Sequence, residues 1–204
     1  MSADQISSGR NGRKYMNLPN KLTLLRVVMI PIFVYLMLGL PIEQGFLPAA
    51  IVFAVASFTD FLDGYIARRD NLVTDFGKLM DPLADKLLVT AALIGMVALE
   101  IAPAVAIIII LSREFIVTSI RLVAAGNGRV IAADKWGKFK TVSQMLWIIY
   151  VLLFYWAVSS LGLSAGVILL GHRFETFLML VTTLLTVLSG ANYIVKNKDI
   201  FLNN

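Results

Sequence analysis

Six apolar runs, each long enough to cross a bilayer, dominate this chain: residues 22–40, 46–68, 79–99, 101–124, 139–161 and 174–195. A hydrocarbon core about 30 Å thick takes about 20 helical residues, and in lipid a backbone satisfies its own hydrogen bonds only as a helix or a closed barrel. Runs of this length read as helices, because a membrane strand needs only about ten residues. The expected fold is therefore an all-α integral membrane protein with six transmembrane helices. Composition agrees, with 58% hydrophobic and 15% charged residues and a mean hydropathy of +0.81. Gly39 with Pro41, Pro103, Gly126 with Gly128, and Gly162 with Gly166 mark the expected turns.

Residues 1–15, MSADQISSGRNGRKY, are polar and non-periodic and read as a disordered tail or leader, leaving residues 16–204 as one six-helix domain. The tail has no apolar segment of the kind a cleaved signal carries, so the first spanning helix is expected to direct insertion. There is no cysteine, which excludes disulfides and thiolate metal sites. His172, the only histidine, lies near an expected loop and reads as a solvated surface residue rather than a ligand.

Basic residues set the sidedness, because lysine and arginine in short loops stay in the cytoplasm. One side collects Arg10, Arg13, Lys14, Lys21 and Arg26, then Arg68, Arg69, Lys78 and Lys86, then Arg121, Arg129, Lys135, Lys138 and Lys140, and finally Lys196 and Lys198; the other offers only Arg173. Both termini are expected in the cytoplasm. The net charge of +5 is then topology plus attraction to anionic headgroups, and no nucleic-acid partner is implied.

Against this background the stretch DFLDGYIARRDNLVTDFGKLMDPLAD, residues 60–85, is anomalous, since it holds six of the thirteen acids between two apolar runs. Ionisable residues at membrane depth are costly and mark functional sites. Asp60 and Asp63 are three apart and share a helix face, and Gly77, Asp81 and Asp85 recur at intervals of four on the next helix, where Pro82 fits a first turn. Four carboxylates converging in one cytoplasm-facing polar cavity would repel strongly without cations. Oxygen-only ligands shared between two helices suit a pair of Mg²⁺ or Mn²⁺ ions. Gly64, Ala67 and Gly77 would let a planar or phosphate group approach the backbone, although small residues in membrane helices also serve close packing. Arg68 at the rim matches a phosphate or anchors the helix end, and Asp70 and Asp75 read as loop or N-cap residues.

The stretch fits the pattern D-x2-D-G-x2-A-R-x8-G-x3-D-x3-D without a gap. That pattern resembles the signature of the CDP-alcohol phosphotransferases, six-helix membrane enzymes that move a phosphatidyl or related group from a CDP-linked donor to an alcohol, releasing CMP. The resemblance implies metal binding by Asp60, Asp63 and Asp81, with Asp85 as a second-metal ligand or general base. It also implies that Gly64, Ala67, Arg68 and Gly77 bind the cytidine diphosphate moiety, as Asn20 and Thr23 would from the segment NLPNKLTLLRVVMIP.

The acceptor is expected from LSREFIVTSIRL, residues 111–122, and DKWGKFKTVSQM, residues 134–145. Arg113 and Arg121 are eight apart, which places them within roughly 80° on a helix. Arg113 could instead pair structurally with Glu114. Together with Arg26, Lys135 and Lys138 they would hold the phosphate of an anionic alcohol. These segments resemble the bacterial members of the family that use CDP-diacylglycerol as donor and sn-glycerol 3-phosphate as acceptor. The resemblance further implies a homodimer in the bacterial cytoplasmic membrane, in contact with the lipid bilayer. A sibling acting on another alcohol and a divalent-cation transporter are the competing readings; a transporter would want acids along a route to both faces, whereas these lie near the cytoplasmic ends.

Overall fold

A computed structural model describes the backbone of residues 18–69, 75–126 and 135–198, with side chains over 24–59, 86–126 and 135–198. Among the described residues the chain is all-helical: α1 (Leu18–Leu38), α2 (Ile42–Arg69), α3 (Asp75–Ala98), α4 (Ala104–Gly126), α5 (Lys135–Ser160) and α6 (Ala165–Lys196). The helices α1, α2, α3 and α5 each begin four residues before their apolar runs, because a helix extends through polar first turns that hydropathy cannot mark.

Three expectations need correction. The last helix begins at Ala165 rather than near residue 174, so Gly166 is helical and His172 lies inside α6, not beside a loop. Glycines and charges at 166–173 read as a turn in the sequence, but the flanking leucines and valine continue the helix. Gly162 alone carries the turn, with φ of +59°. Finally, α3 starts at Asp75, which puts position 82 about two turns inside it rather than in its first turn.

α1 packs on α2 and α3, α2 on α5, α5 on α6, α6 on α4, and α4 on α3, a closed circuit in which α3 also touches α2 and α5. Large apolar side chains fill the centre: Phe33 and Met37 from α1, Phe46 and Phe53 from α2, Leu88 and Leu93 from α3, and Trp147 from α5. The rings of Phe33 and Phe53 sit 5.8 Å apart.

α6 is inside out. Its buried residues are Glu175, Thr182, Thr186, Ser189, Gly190 and Tyr193, which recur at helical spacing along one face. Its exposed face carries Leu170, Phe177, Leu180, Leu184, Leu188 and Val195. A water-facing helix would show the reverse. The polar face meets α5, where the Thr182 hydroxyl donates to Ser143 Oγ at 3.3 Å. Apolar side chains are exposed on every helix, as lipid contact requires. Among the described residues three helical segments are long and apolar enough to cross a membrane: Ile42–Thr59 of α2, α5 and α6. Shorter apolar segments lie at Leu24–Leu38 and Lys86–Ala98, and α4 carries Arg113, Glu114 and Arg121 within its length.

Candidate active site

The acidic stretch falls on two helices that touch. Asp60, Asp63, Gly64, Ala67 and Arg68 belong to the last turns of α2, and Gly77, Asp81 and Asp85 to the first turns of α3. Asn20 and Thr23 belong to the start of α1, which packs on both. The side chains of these ten residues lie outside the described residues, as does Asp70. Asp75 is the first residue of α3.

Arg26 is buried, 1% exposed, between α1 and α2. Its Nε donates to the carbonyl of Ala56 at 3.4 Å. Ala56 precedes Asp60 by one turn, so the arginine on α1 is tied to the segment of α2 that leads directly into the acids.

Around Glu114 the structure brings three helices together. Lys140 Nζ on α5 lies 2.6 Å from Glu114 Oε1, and Nη1 of Arg113 donates to the same oxygen at 3.1 Å. Lys86, the residue after Asp85 on α3, donates to the Thr118 hydroxyl on α4, which in turn donates to the backbone carbonyl of Glu114 at 2.6 Å. Three cationic side chains thus gather about one carboxylate. That imbalance favours an anion, and its place directly after Asp85 couples it to the acidic stretch.

A cleft of about 70 Å³ opens beside this network, between α3, α4 and α5. Lys86, Thr90, Glu114, Lys140, Thr141 and Gln144 form its polar wall, and Leu111 and Phe115 belong to the apolar one. The amide nitrogen of Gln144 is buried and makes no hydrogen bond. A polar group buried in this way is costly unless a ligand or water completes it.

The remaining basic residues separate. Arg121 is exposed and engages α6: its Nε donates to the Tyr193 hydroxyl at 3.2 Å, and its guanidinium carbon lies 5.5 Å from that ring's centre. Arg113 and Arg121 therefore use different partners. Lys135 and Lys138 are exposed in the first turn of α5, whereas Lys140 is 1% exposed. The inward lysine was legible in the sequence: residues 140, 144, 147 and 151 share one helical stripe and all are buried, while 135 and 138 fall on the opposite side. The role of Glu114 as a hub joining two cations was not legible, because it depends on how α3 and α6 set α5 relative to α4.

The sequence pattern of the CDP-alcohol phosphatidyltransferase family matches residues 16–196. The chain is 46% identical over 194 residues to the CDP-diacylglycerol–glycerol-3-phosphate 3-phosphatidyltransferase of Bacillus subtilis (strain 168), covering 89% of this chain and 95% of that protein. It is 36% identical to the protein of the same name from Rickettsia felis over 91% of this chain and 97% of the relative. It is 38% identical to a probable phosphatidylglycerophosphate synthase of Mycobacterium tuberculosis over 88% of this chain and 81% of that one. With the spaced acids placed on two touching helices and a family match that spans all six, this chain belongs to the CDP-alcohol phosphatidyltransferase family.

Proposed function

We propose that this protein transfers the phosphatidyl group of CDP-diacylglycerol to sn-glycerol 3-phosphate, giving phosphatidylglycerol phosphate and CMP. The relatives' names support the reaction, and the observation that carries the acceptor is Arg113, whose Nη1 is held by Glu114 while its buried Nε makes no hydrogen bond. A guanidinium with one end anchored and a buried Nε that makes no hydrogen bond is suited to a phosphate. In the same reading residues 16–204 form one domain of six membrane-crossing helices in the bacterial cytoplasmic membrane. Its polar cavity and both termini face the cytoplasm, and the assembly is a homodimer.

The candidate metal ligands are the acids of α2 and α3. Their chemistry fits: carboxylates on two touching helices, with no thiolate in the chain, are hard oxygen donors for Mg²⁺ or Mn²⁺. Asp60, Asp63, Asp81 and Asp85 would hold two such ions, which when bound neutralise the charge of the diphosphate. Asn20, Thr23, Gly64, Ala67, Arg68 and Gly77 would seat the cytidine diphosphate, with Arg68 forking a phosphate and the small residues admitting it to the backbone. Arg113, with Arg26, Arg121, Lys135 and Lys138, would draw in and orient the acceptor's phosphate. The acceptor hydroxyl oxygen then bonds to the phosphatidyl phosphorus, its proton passes to a carboxylate oxygen of Asp85, and the bond to the bridging oxygen breaks to release CMP.

The test is CMP release from CDP-diacylglycerol with a panel of alcohols. Glycerol 3-phosphate should support turnover, and glycerol, inositol phosphate and phosphatidylglycerol should not. Equal release with unphosphorylated glycerol would overturn the acceptor, and no release with any alcohol would overturn the reaction.

A further inference from the structure

Arg113 stands on the buried stripe of α4 formed by Ala106, Ile110, Val117, Ile120 and Ala124. An arginine on such a stripe must find room between neighbouring helices, and two glycines supply it. A Cβ added at Gly190 of α6 would meet Arg113 Cγ at 3.0 Å, and one added at Gly137 of α5 would meet Arg113 Nη2 at 3.3 Å. Both separations are tighter than ordinary carbon contacts. The stem therefore sits against α6 at a separation that a side chain at residue 190 would crowd. The guanidinium reaches α5 beside a second position that has none.

The far end is fixed as well. Nη1 donates to Glu114 Oε1 at 3.1 Å, and that oxygen is itself held by Lys140 at 2.6 Å. Nε is buried and makes no hydrogen bond, although the whole side chain is only 13% exposed. In a guanidinium the Nε and Nη2 hydrogens point the same way along one edge, the edge opposite the Nη1 that Glu114 occupies, and this is the fork that takes an oxyanion by two bonds.

We propose that Gly137 and Gly190 are positioning residues for Arg113: the slot between them sets the reach of the side chain so that its Nε–Nη2 edge meets the phosphate of the anionic acceptor. This rests on the acceptor reading above and adds to it the residues that aim the charge. A glycine at 190 admits the stem, a glycine at 137 leaves Nη2 uncovered, and Glu114 stops the guanidinium from rotating away. Alanine at either position displaces the fork by a few tenths of an ångström and leaves every charge in place.

The experiment measures the KM of both substrates for the full chain in detergent or lipid discs, using CMP release. Because a 1 Å misplacement of a binding group can cost about a hundredfold, Gly137→Ala and Gly190→Ala should each raise the KM for glycerol 3-phosphate by about tenfold and that for CDP-diacylglycerol by less than about twofold. In an Arg113→Ala background the same glycine substitutions should have no further effect on acceptor KM, a non-additivity that loosened packing would not produce. Gly137→Ala keeps the test alive if Gly190→Ala does not fold, since its added carbon meets one nitrogen of Arg113 and no other atom closely. The slot is overturned, with the acceptor reading intact, if Arg113→Ala raises the acceptor KM and the glycine variants do not, or if the glycine effects persist without Arg113. An acceptor KM unchanged in Arg113→Ala overturns both.

Discussion

Lys140 Nζ lies 2.6 Å from Glu114 Oε1, with the lysine 1% exposed, so α4 and α5 are joined by an ion pair. Arg113 shares the same carboxylate oxygen. Removing one member of a buried pair leaves an uncompensated charge, whereas replacing both by apolar groups can be neutral.

Lys140→Met should therefore destabilise the protein by about 3 kcal/mol, at the low end for a broken buried pair because Arg113 still serves Glu114. The double variant Lys140→Met with Glu114→Leu should recover little of that loss, because it strips the buried Arg113 of its carboxylate partner, and Lys135→Ala should change little. Denaturant unfolding in micelles measures all three, and a Lys140→Met midpoint equal to that of Lys135→Ala would show that the pair contributes nothing.

Helix packing makes a second, steric prediction. A Cβ on Gly45 would lie 2.0 Å from the backbone oxygen of Leu36, and one on Gly171 would lie 2.0 Å from the Phe154 ring, whereas one on Gly126 meets nothing within 4 Å. Gly45→Ala should cost at least the ~1–3 kcal/mol typical of overpacking, because a carbonyl cannot rotate away as a side chain can. Gly171→Ala should cost a similar amount, and Gly126→Ala should be near neutral. Thermal melting of the three variants ranks them directly.

The inverted polarity of α6 can be read by labelling. With no native cysteine, single-cysteine variants report one position each. Cysteines at Leu180, Leu184 and Leu188 should be reached by a lipid-dissolved probe, and those at Thr182, Thr186 and Ser189 should be protected. Equal reactivity on the two faces would contradict membrane burial of this helix.

Chelation tests the acids. Turnover should vanish in chelator and return with Mg²⁺ or Mn²⁺. Asp85→Asn should lower kcat by at least about 100-fold, the size of a lost general base, while Asp70→Asn, outside the spaced quartet, should stay near wild type. Full activity in chelator, or equal mild effects at both positions, would show that the quartet has been assigned the wrong role.

The placement of the spaced acids on two touching helices was legible in the chain because its signals are local. The intervals of three and four that join Asp60 to Asp63 and Asp81 to Asp85 follow from helix pitch alone, and the eight residues between Arg68 and Gly77 place the two sets on consecutive helices. The start of α6 was not legible, because glycines and charges at 166–173 look like a turn until tertiary contacts override them: Gly171 accepts the ring of Phe154, and the Tyr150 hydroxyl donates to the carbonyl of Gly171 at 2.9 Å. Hydropathy reports how well a residue suits lipid, and it cannot report that a helix continues because another helix holds it.

The sequence by itself determined an all-helical, lipid-embedded chain, the family to which it belongs and the residue types available for chemistry, since hydropathy, pitch and spacing act between near neighbours. Tertiary structure alone decided that Lys140 is joined to Glu114, and that Arg113 and Arg121 take separate partners. It also decided that Gly137 and Gly190, 53 positions apart, make one slot for the same arginine. Those relationships depend on how α4, α5 and α6 dock, and docking is set by side-chain shape summed over three helices, which no local interval encodes.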